Sequence, residues 1–200
     1  MTDATTHDPT RLPADLPEPE DDGAADHLKG RELPHVQLAS TDGGTVDLAS
    51  VPGRLVIYCF PRAGRPGVAM PEGWDRIPGA RGCTPQSIGF RDRHDEIRAL
   101  HAQVVGLSTQ PPADQKEIVG RLGLPFPLVS DHELAFARAL DLPTFEVEGG
   151  TLIRRLTLIA LDGMIERVFY PVFPPDRAAE EVVVWLLAHP HRPGETGSPA

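Results

Sequence analysis

Two cysteines carry the most nucleophilic side chains of the 200-residue chain, and their settings differ. Cys83 stands in Arg81-Gly82-Cys83-Thr84-Pro85-Gln86, where Thr84 has the chemistry of an N-cap and Pro85 suits the first helical position. A helix is predicted to open there. A thiol at a helix N-terminus meets unpaired N–H groups and the positive end of the dipole, and a cation such as Arg81 adds to their pull. Both favour the thiolate, the form that attacks electrophiles. Cys59 lies instead inside Arg54-Leu55-Val56-Ile57-Tyr58-Cys59-Phe60, an apolar run between Pro52-Gly53 and Pro61. Apolar burial keeps a thiol protonated, so Cys59 reads as packing. The eight histidines show no ligand spacing, and neither a metal nor a cofactor is expected.

The elements that position these thiols follow from hydrophobic periodicity. Val36 and Leu38, then Thr45, Val46 and Leu48, flank Thr41-Asp42-Gly43-Gly44 and predict an opening hairpin. The 54–60 run predicts a strand buried on both faces. Residues 62–82 are rich in Gly and Pro and aperiodic, which predicts a long surface loop of the kind that often carries function. Phe90, Ile97 and Leu100 then recur at helical spacing as far as residue 101. Strands at 103–108 and 127–130 alternate with helices at 112–122 and 132–140. Residues 151–160 and 165–172, joined by Leu161-Asp162-Gly163, predict a hairpin, and Asp176 is expected to cap a final amphipathic helix through Val182, Val183, Trp185 and Leu186. This order predicts an α/β fold, a thioredoxin-like α/β sandwich with a central mixed sheet and flanking helices. Residues 1–30, acidic and poor in aliphatic side chains, are expected to be a disordered arm; 31–189 form the domain, and 190–200 a flexible tail.

Composition narrows the function classes. A formal net charge of -10 argues against nucleic acid, whose phosphates require a basic surface. No segment approaches the length of a membrane span, the N-terminus is polar and acidic, and a cytoplasmic location without a membrane partner is expected. Two cysteines do not make a disulfide framework for a domain of this size.

Gly82-Cys83-Thr84-Pro85-Gln86-Ser87 followed by Gly89-Phe90-Arg91-Asp92 resembles the peroxidatic segment of the peroxiredoxins, especially their bacterioferritin-comigratory-protein group. Tyr58-Cys59-Phe60-Pro61, Val105-Gly106-Leu107-Ser108, Phe126-Pro127-Leu128-Val129-Ser130-Asp131 and Arg155-Leu156-Thr157-Leu158-Ile159 fall in that family's order, so the resemblance spans residues 33–189. It implies that Cys83 is the peroxidatic thiol, that Arg155 steadies thiolate and peroxide, with Arg154 as the alternative one residue away, and that Pro61 shields the thiolate. Thr84 and Arg81 would lie on the substrate side. The expected substrate is a peroxide and the expected product on the protein a Cys83 sulfenic acid.

Two positions depart from the family pattern. Ile88 stands where many relatives carry a resolving cysteine, so an external thiol reductant is implied, either a thioredoxin-like protein or a low-molecular-weight thiol. A disulfide between Cys59 and Cys83 is not expected, since Cys59 sits back inside its strand. Ala80 occupies the place of the family's Thr or Ser, with Ala63 or Gly64 as the alternative placement, and none of these offers a hydroxyl to the peroxide. Loss of such a donor costs about 2 to 4 kcal/mol of transition-state stabilisation. The leading expectation is a one-cysteine thiol peroxidase; the alternative is a redoxin-fold protein that has lost efficient peroxidase activity and serves as a biosynthetic enzyme or thiol-based sensor. A homodimer is left open.

Overall fold

In the computed structural model, which describes residues 12–13 and 15–191, the 54–60 run organises the molecule. All six residues of β3 (Arg54–Cys59) are buried. Its side chains alternate: Leu55, Ile57 and Cys59 enter one core, while Val56, Tyr58 and then Phe60 enter the other. Both faces of the strand must therefore be covered, which places it in mid-sheet. It pairs in parallel with β4 (Ala102–Ser108) and antiparallel with β8 (Leu156–Leu161). β5 (Leu128–Ser130) extends the parallel part beside β4, and the hairpin of β1 (Gln37–Ser40) and β2 (Thr45–Asp47) adds to it antiparallel. β9 (Met164–Phe169) closes the other edge, so the seven described strands run β2-β1-β5-β4-β3-β8-β9.

On the Val56 and Tyr58 face lie α1 (Cys83–Asp92), α2 (His94–Ala99), α3 (Pro112–Leu122) and the terminal helix α5 (Ala178–Ala188), contributing Phe90, Ile97, Ile118 and Val182. α4 (Ala135–Leu140) covers the opposite face with Phe136 and Leu140. Gly106 makes the Tyr58 face possible. A Cβ there would lie 2.4 Å from Leu128 Cδ2 and 2.6 Å from Tyr58 Cζ, so only glycine leaves room for the phenol ring. This mixed sheet with flanking helices is the thioredoxin-like sandwich the sequence predicts.

Several elements differ from expectation, each for a local reason. The 151–160 strand is broken at Arg154 and Arg155 into β7 (Gly150–Ile153) and β8. β7 pairs with β6 (Thr144–Val147) in a separate two-stranded sheet that periodicity did not reveal. The Arg154 amide donates to Pro143 O at 2.8 Å, which holds that residue in the second sheet while the next side chain turns inward. The 84–101 helix begins at Cys83, with Gly82 rather than Thr84 at the N-cap, and is interrupted at Arg93. The 132–140 helix starts only at Ala135, because Leu134 adopts φ 60° and buried Asp131 accepts the Phe136 and Ala137 amides at 3.0 and 2.8 Å. Asp176 does not cap α5; it lies in a 3-10 turn, Pro175–Arg177, and α5 starts without a side-chain cap.

The expected disordered arm also needs correction where it is described. Residues 1–11 and 14, like 192–200 of the expected tail, lie outside the described residues. From residue 15 to 30 the chain is laid on the domain: Ala25 and Leu28 are buried in the α4-side core, and His27 Nε2 is 2.9 Å from Leu140 O. Buried Ala25 and Leu28, with hydrogen bonds to the domain at Asp22, His27 and Gly30, hold a segment whose composition alone reads as unstructured.

Candidate active site

The C-terminal edge of β3 is where α1 begins, and the geometry there is set by Gly82. Its φ of 101° is a conformation that favours glycine, and a Cβ on it would come within 2.2 Å of Pro175 Cγ. Cys83 is thus the first residue of α1, placed over the sheet edge and only 3% exposed. Beneath α1 the Tyr58 ring stacks on Phe90 at 4.4 Å, and its hydroxyl donates to Ser87 Oγ at 3.2 Å. Burial raises the pKa of this phenol, so it remains neutral.

The register of β3 against β8 brings in the arginine. Cys59 is paired with Leu156, so Arg155 stands one residue past the ladder, at the same sheet edge as the start of α1. Its Nη2 lies 3.3 Å from Cys83 Sγ. The guanidinium is held by Gly79 O at 3.3 Å, Ala80 O at 3.1 Å and Arg81 O at 3.0 Å, and Nη1 donates to Gln86 Oε1. Arg155 is itself 3% exposed, and none of these partners is a carboxylate. These carbonyls and the amide bring no counter-charge to the buried guanidinium, and the Cys83 sulfur stands at its remaining position.

The expected site residues separate into those that converge and those that do not. Cys83 and Arg155 meet; Arg154 points elsewhere, its Nε donating to Thr144 O at 3.2 Å. Arg81 contributes its carbonyl to Arg155, whereas its guanidinium forms an ion pair with Asp75 at 2.6 Å. Thr84 is buried in the first turn of α1, and Pro61 is buried directly beyond β3, between Phe60 and Ala63 of the core cluster that contains Cys83. Ala80 is fully buried, and its carbonyl accepts from both Arg155 and the Cys83 thiol, the latter at 3.5 Å. Ala63 is instead clamped by the Gln110 side chain, which bonds both its N–H and its C=O. Cys59 faces the opposite core, and burial pushes its thiol pKa well up.

Sequence reasoning missed Gln86. It is fully buried and sits three residues after Cys83, hence on the same helix face, which was the available signal. The 62–82 segment is more than a surface loop: Trp74 and Ala80 form a small core with Leu152, against which Phe145 and Val147 of the β6–β7 sheet pack. This secondary core brings the loop back so that residues 79–81 present their carbonyls to Arg155.

The chain matches the Redoxin family over residues 28–183, which includes every residue of this site. The chain belongs to the redoxin family. Among similar redoxins is the chloroplastic peroxiredoxin Q of Populus jackii, 29% identical over 161 residues, 79% of this chain and 67% of the relative. Rice peroxiredoxin Q is matched over 64% of its length, so this chain spans about two thirds of the plant proteins. Peroxiredoxin Bcp of Escherichia coli (strain K12) is 29% identical over 168 residues, 81% of this chain and 97% of the relative. The bacterioferritin comigratory protein of Xanthomonas campestris, whose structure was determined for its alkyl peroxide reduction activity, superposes with a TM-score of 0.62 at 25% identity. That superposition covers 80% of this chain and 98% of the bacterial one. Within the redoxins the chain is a peroxiredoxin.

Proposed function

We propose that the protein is a one-cysteine thiol peroxidase that reduces hydrogen peroxide or organic hydroperoxides. The contact of Arg155 Nη2 with Cys83 Sγ at 3.3 Å, both side chains being buried at the head of α1, carries this reading. In the first step the Cys83 thiolate attacks the terminal peroxide oxygen. The S–O bond forms as the O–O bond breaks, leaving a sulfenic acid on Cys83 while the other oxygen leaves as water or alcohol after taking a proton. Arg155, already pinned by carbonyls 79–81, needs no reorganisation to serve the charge that builds on the two oxygens. Pro61 and Thr84 form part of the buried surroundings that exclude water, and Arg81 acts through its backbone.

In the second step an external thiol attacks the sulfenic sulfur, forming a mixed disulfide and releasing water. A second thiol then restores Cys83 and carries away the disulfide. The reductant is a thioredoxin-like protein or a small cellular thiol, and the setting is the cytoplasm. The alternative of a redoxin without efficient peroxidase activity rests on Ala80 and on Ile88 in place of a resolving cysteine, and is not favoured.

Peroxide consumption by the purified protein should depend on added thiol, saturate with neither reactant absent, and vanish in Cys83→Ser while surviving in Cys59→Ser. Activity lost in Cys59→Ser and kept in Cys83→Ser contradicts the reading.

A further inference from the structure

Access to Cys83 poses a problem that the site does not solve. At 3% exposure the sulfur is nearly sealed. Two clefts flank Arg155, and each leaves only about 10 Å³, the room of one water. A hydroperoxide with a carbon substituent, or a thiol coming to the sulfenic sulfur, needs more than that.

The outer walls of both clefts are built by the segment that precedes the domain. Pro19 stands with Pro78, Phe145 and Tyr170 around one cleft, and Leu16 and Pro17 stand with Ile77, Phe173 and Pro175 around the other. The same segment reaches the residues next to the sulfur. A Cβ on Gly82 would meet Leu12 Cδ2 at 3.0 Å, and one on Gly79, whose carbonyl holds Arg155, would meet Pro19 at 3.6 Å. At its far end Asp22 Oδ1 accepts the Tyr170 hydroxyl at 2.9 Å. Among the described residues, no backbone hydrogen bond joins Asp15–Asp22 to the domain; the first lies beyond, from Gly30 N to Ile165 O at 2.9 Å. Prolines 17 and 19 remove donors and stiffen the chain, so the segment lies on the site through side chains and can leave without breaking a ladder.

We infer that the segment from Asp15 to Asp22 is a strap that sets which peroxides and thiols reach Cys83: closed, it favours the smallest peroxide, and lifted from its Asp22–Tyr170 latch it admits bulky hydroperoxides and the resolving thiol. The inference rests on the proposed peroxidase reading. It differs from a change in chemistry, because the strap touches the walls of the site and leaves the Cys83–Arg155 contact in place.

The test compares the full-length protein with two full-length variants, Leu16→Ser/Pro17→Ser/Asp22→Ala and the single Tyr170→Phe. In each, Cys83 labelling is followed at peptide level with iodoacetamide and with a bulky maleimide, and sulfenic acid formation with hydrogen peroxide and with cumene hydroperoxide. The strap predicts that the maleimide-to-iodoacetamide ratio and the cumene-to-hydrogen peroxide ratio both rise about tenfold in the triple variant and in the same direction in Tyr170→Phe, with circular dichroism unchanged. Unchanged ratios in both variants overturn the strap even if Cys83 oxidises normally. Failure of Cys83 to oxidise with either peroxide overturns the peroxidase reading instead, and the maleimide ratio then still decides the strap.

Discussion

At the scale of single residues, the site turns on where one guanidinium is held. Arg155 is fixed from five directions, and the neighbouring Arg154 is turned to Thr144 O. Arg155→Ala should slow oxidation of Cys83 by peroxide about a hundred- to a thousandfold, the loss seen when one preorganised donor is removed from a reacting centre. Arg154→Ala should leave the rate within a factor of two or so, and stopped-flow fluorescence on both variants reads the difference. Ala80 has its carbonyl beside the sulfur, so Ala80→Thr should raise the peroxide rate by restoring a hydroxyl donor, by about tenfold or more. A drop in rate together with intact secondary structure would mean that the fully buried position cannot house the larger side chain. Cys83 and Arg155 were legible in the sequence, the first from a helix-start pattern and the second from family resemblance. Whether the inward residue was 154 or 155 required the β3–β8 register, and the role of Gln86 required the partner across the site.

At the scale of elements, period-two alternation in β3 decides the fate of the second cysteine. Leu55, Ile57 and Cys59 point to the α4 side, and Val56, Tyr58 and Phe60 to the side that holds Cys83. A Cys59–Cys83 bridge would have to pass through the sheet, a stronger bar than the setback along the strand. Mass spectrometry of oxidised, alkylated and unreduced digests should find Cys83 as sulfenic acid or as an adduct with added thiol, and Cys59 reduced; a dominant Cys59–Cys83 peptide contradicts this placement. The strands of the central sheet and α3 were legible because each is a local hydrophobic pattern. The β6–β7 sheet was not, because Phe145, Val147 and Leu152 make sense as apolar positions only against Trp74 and Ala80, far away in sequence. The break at residues 154 and 155 was hidden for the same reason, since it is Gly79, Ala80 and Arg81 that draw the second arginine out of the strand.

At the scale of the whole molecule, the N-terminal segment, the 62–82 loop and the turn after β9 close over one sheet edge. The segment was misread as unstructured because acidic, proline-rich composition reports the lack of a core of its own and says nothing about a groove supplied by others. Its latch has a spectroscopic signature. Burial, with the Asp22 hydrogen bond second, pushes the Tyr170 phenol up to about 12. Ultraviolet titration should find a tyrosine ionising near there, and in Asp22→Ala the midpoint should move down toward the ordinary value, since both the hydrogen bond and the adjacent negative charge oppose loss of the phenolic proton. An unshifted midpoint would separate Asp22 from the phenol in solution.

Cys83, paired with buried Arg155, is the thiol that peroxide should oxidise. Stopped-flow mixing of the reduced protein with hydrogen peroxide, quenched at intervals and read by sulfenic-acid trapping at peptide level, tests it most directly. Loss of the Cys83 thiol should be second-order, scale with peroxide, slow about a hundredfold or more in Arg155→Ala, and precede any change at Cys59. Oxidation of Cys59 at the same rate or first, or a Cys83 rate indifferent to Arg155, would contradict it.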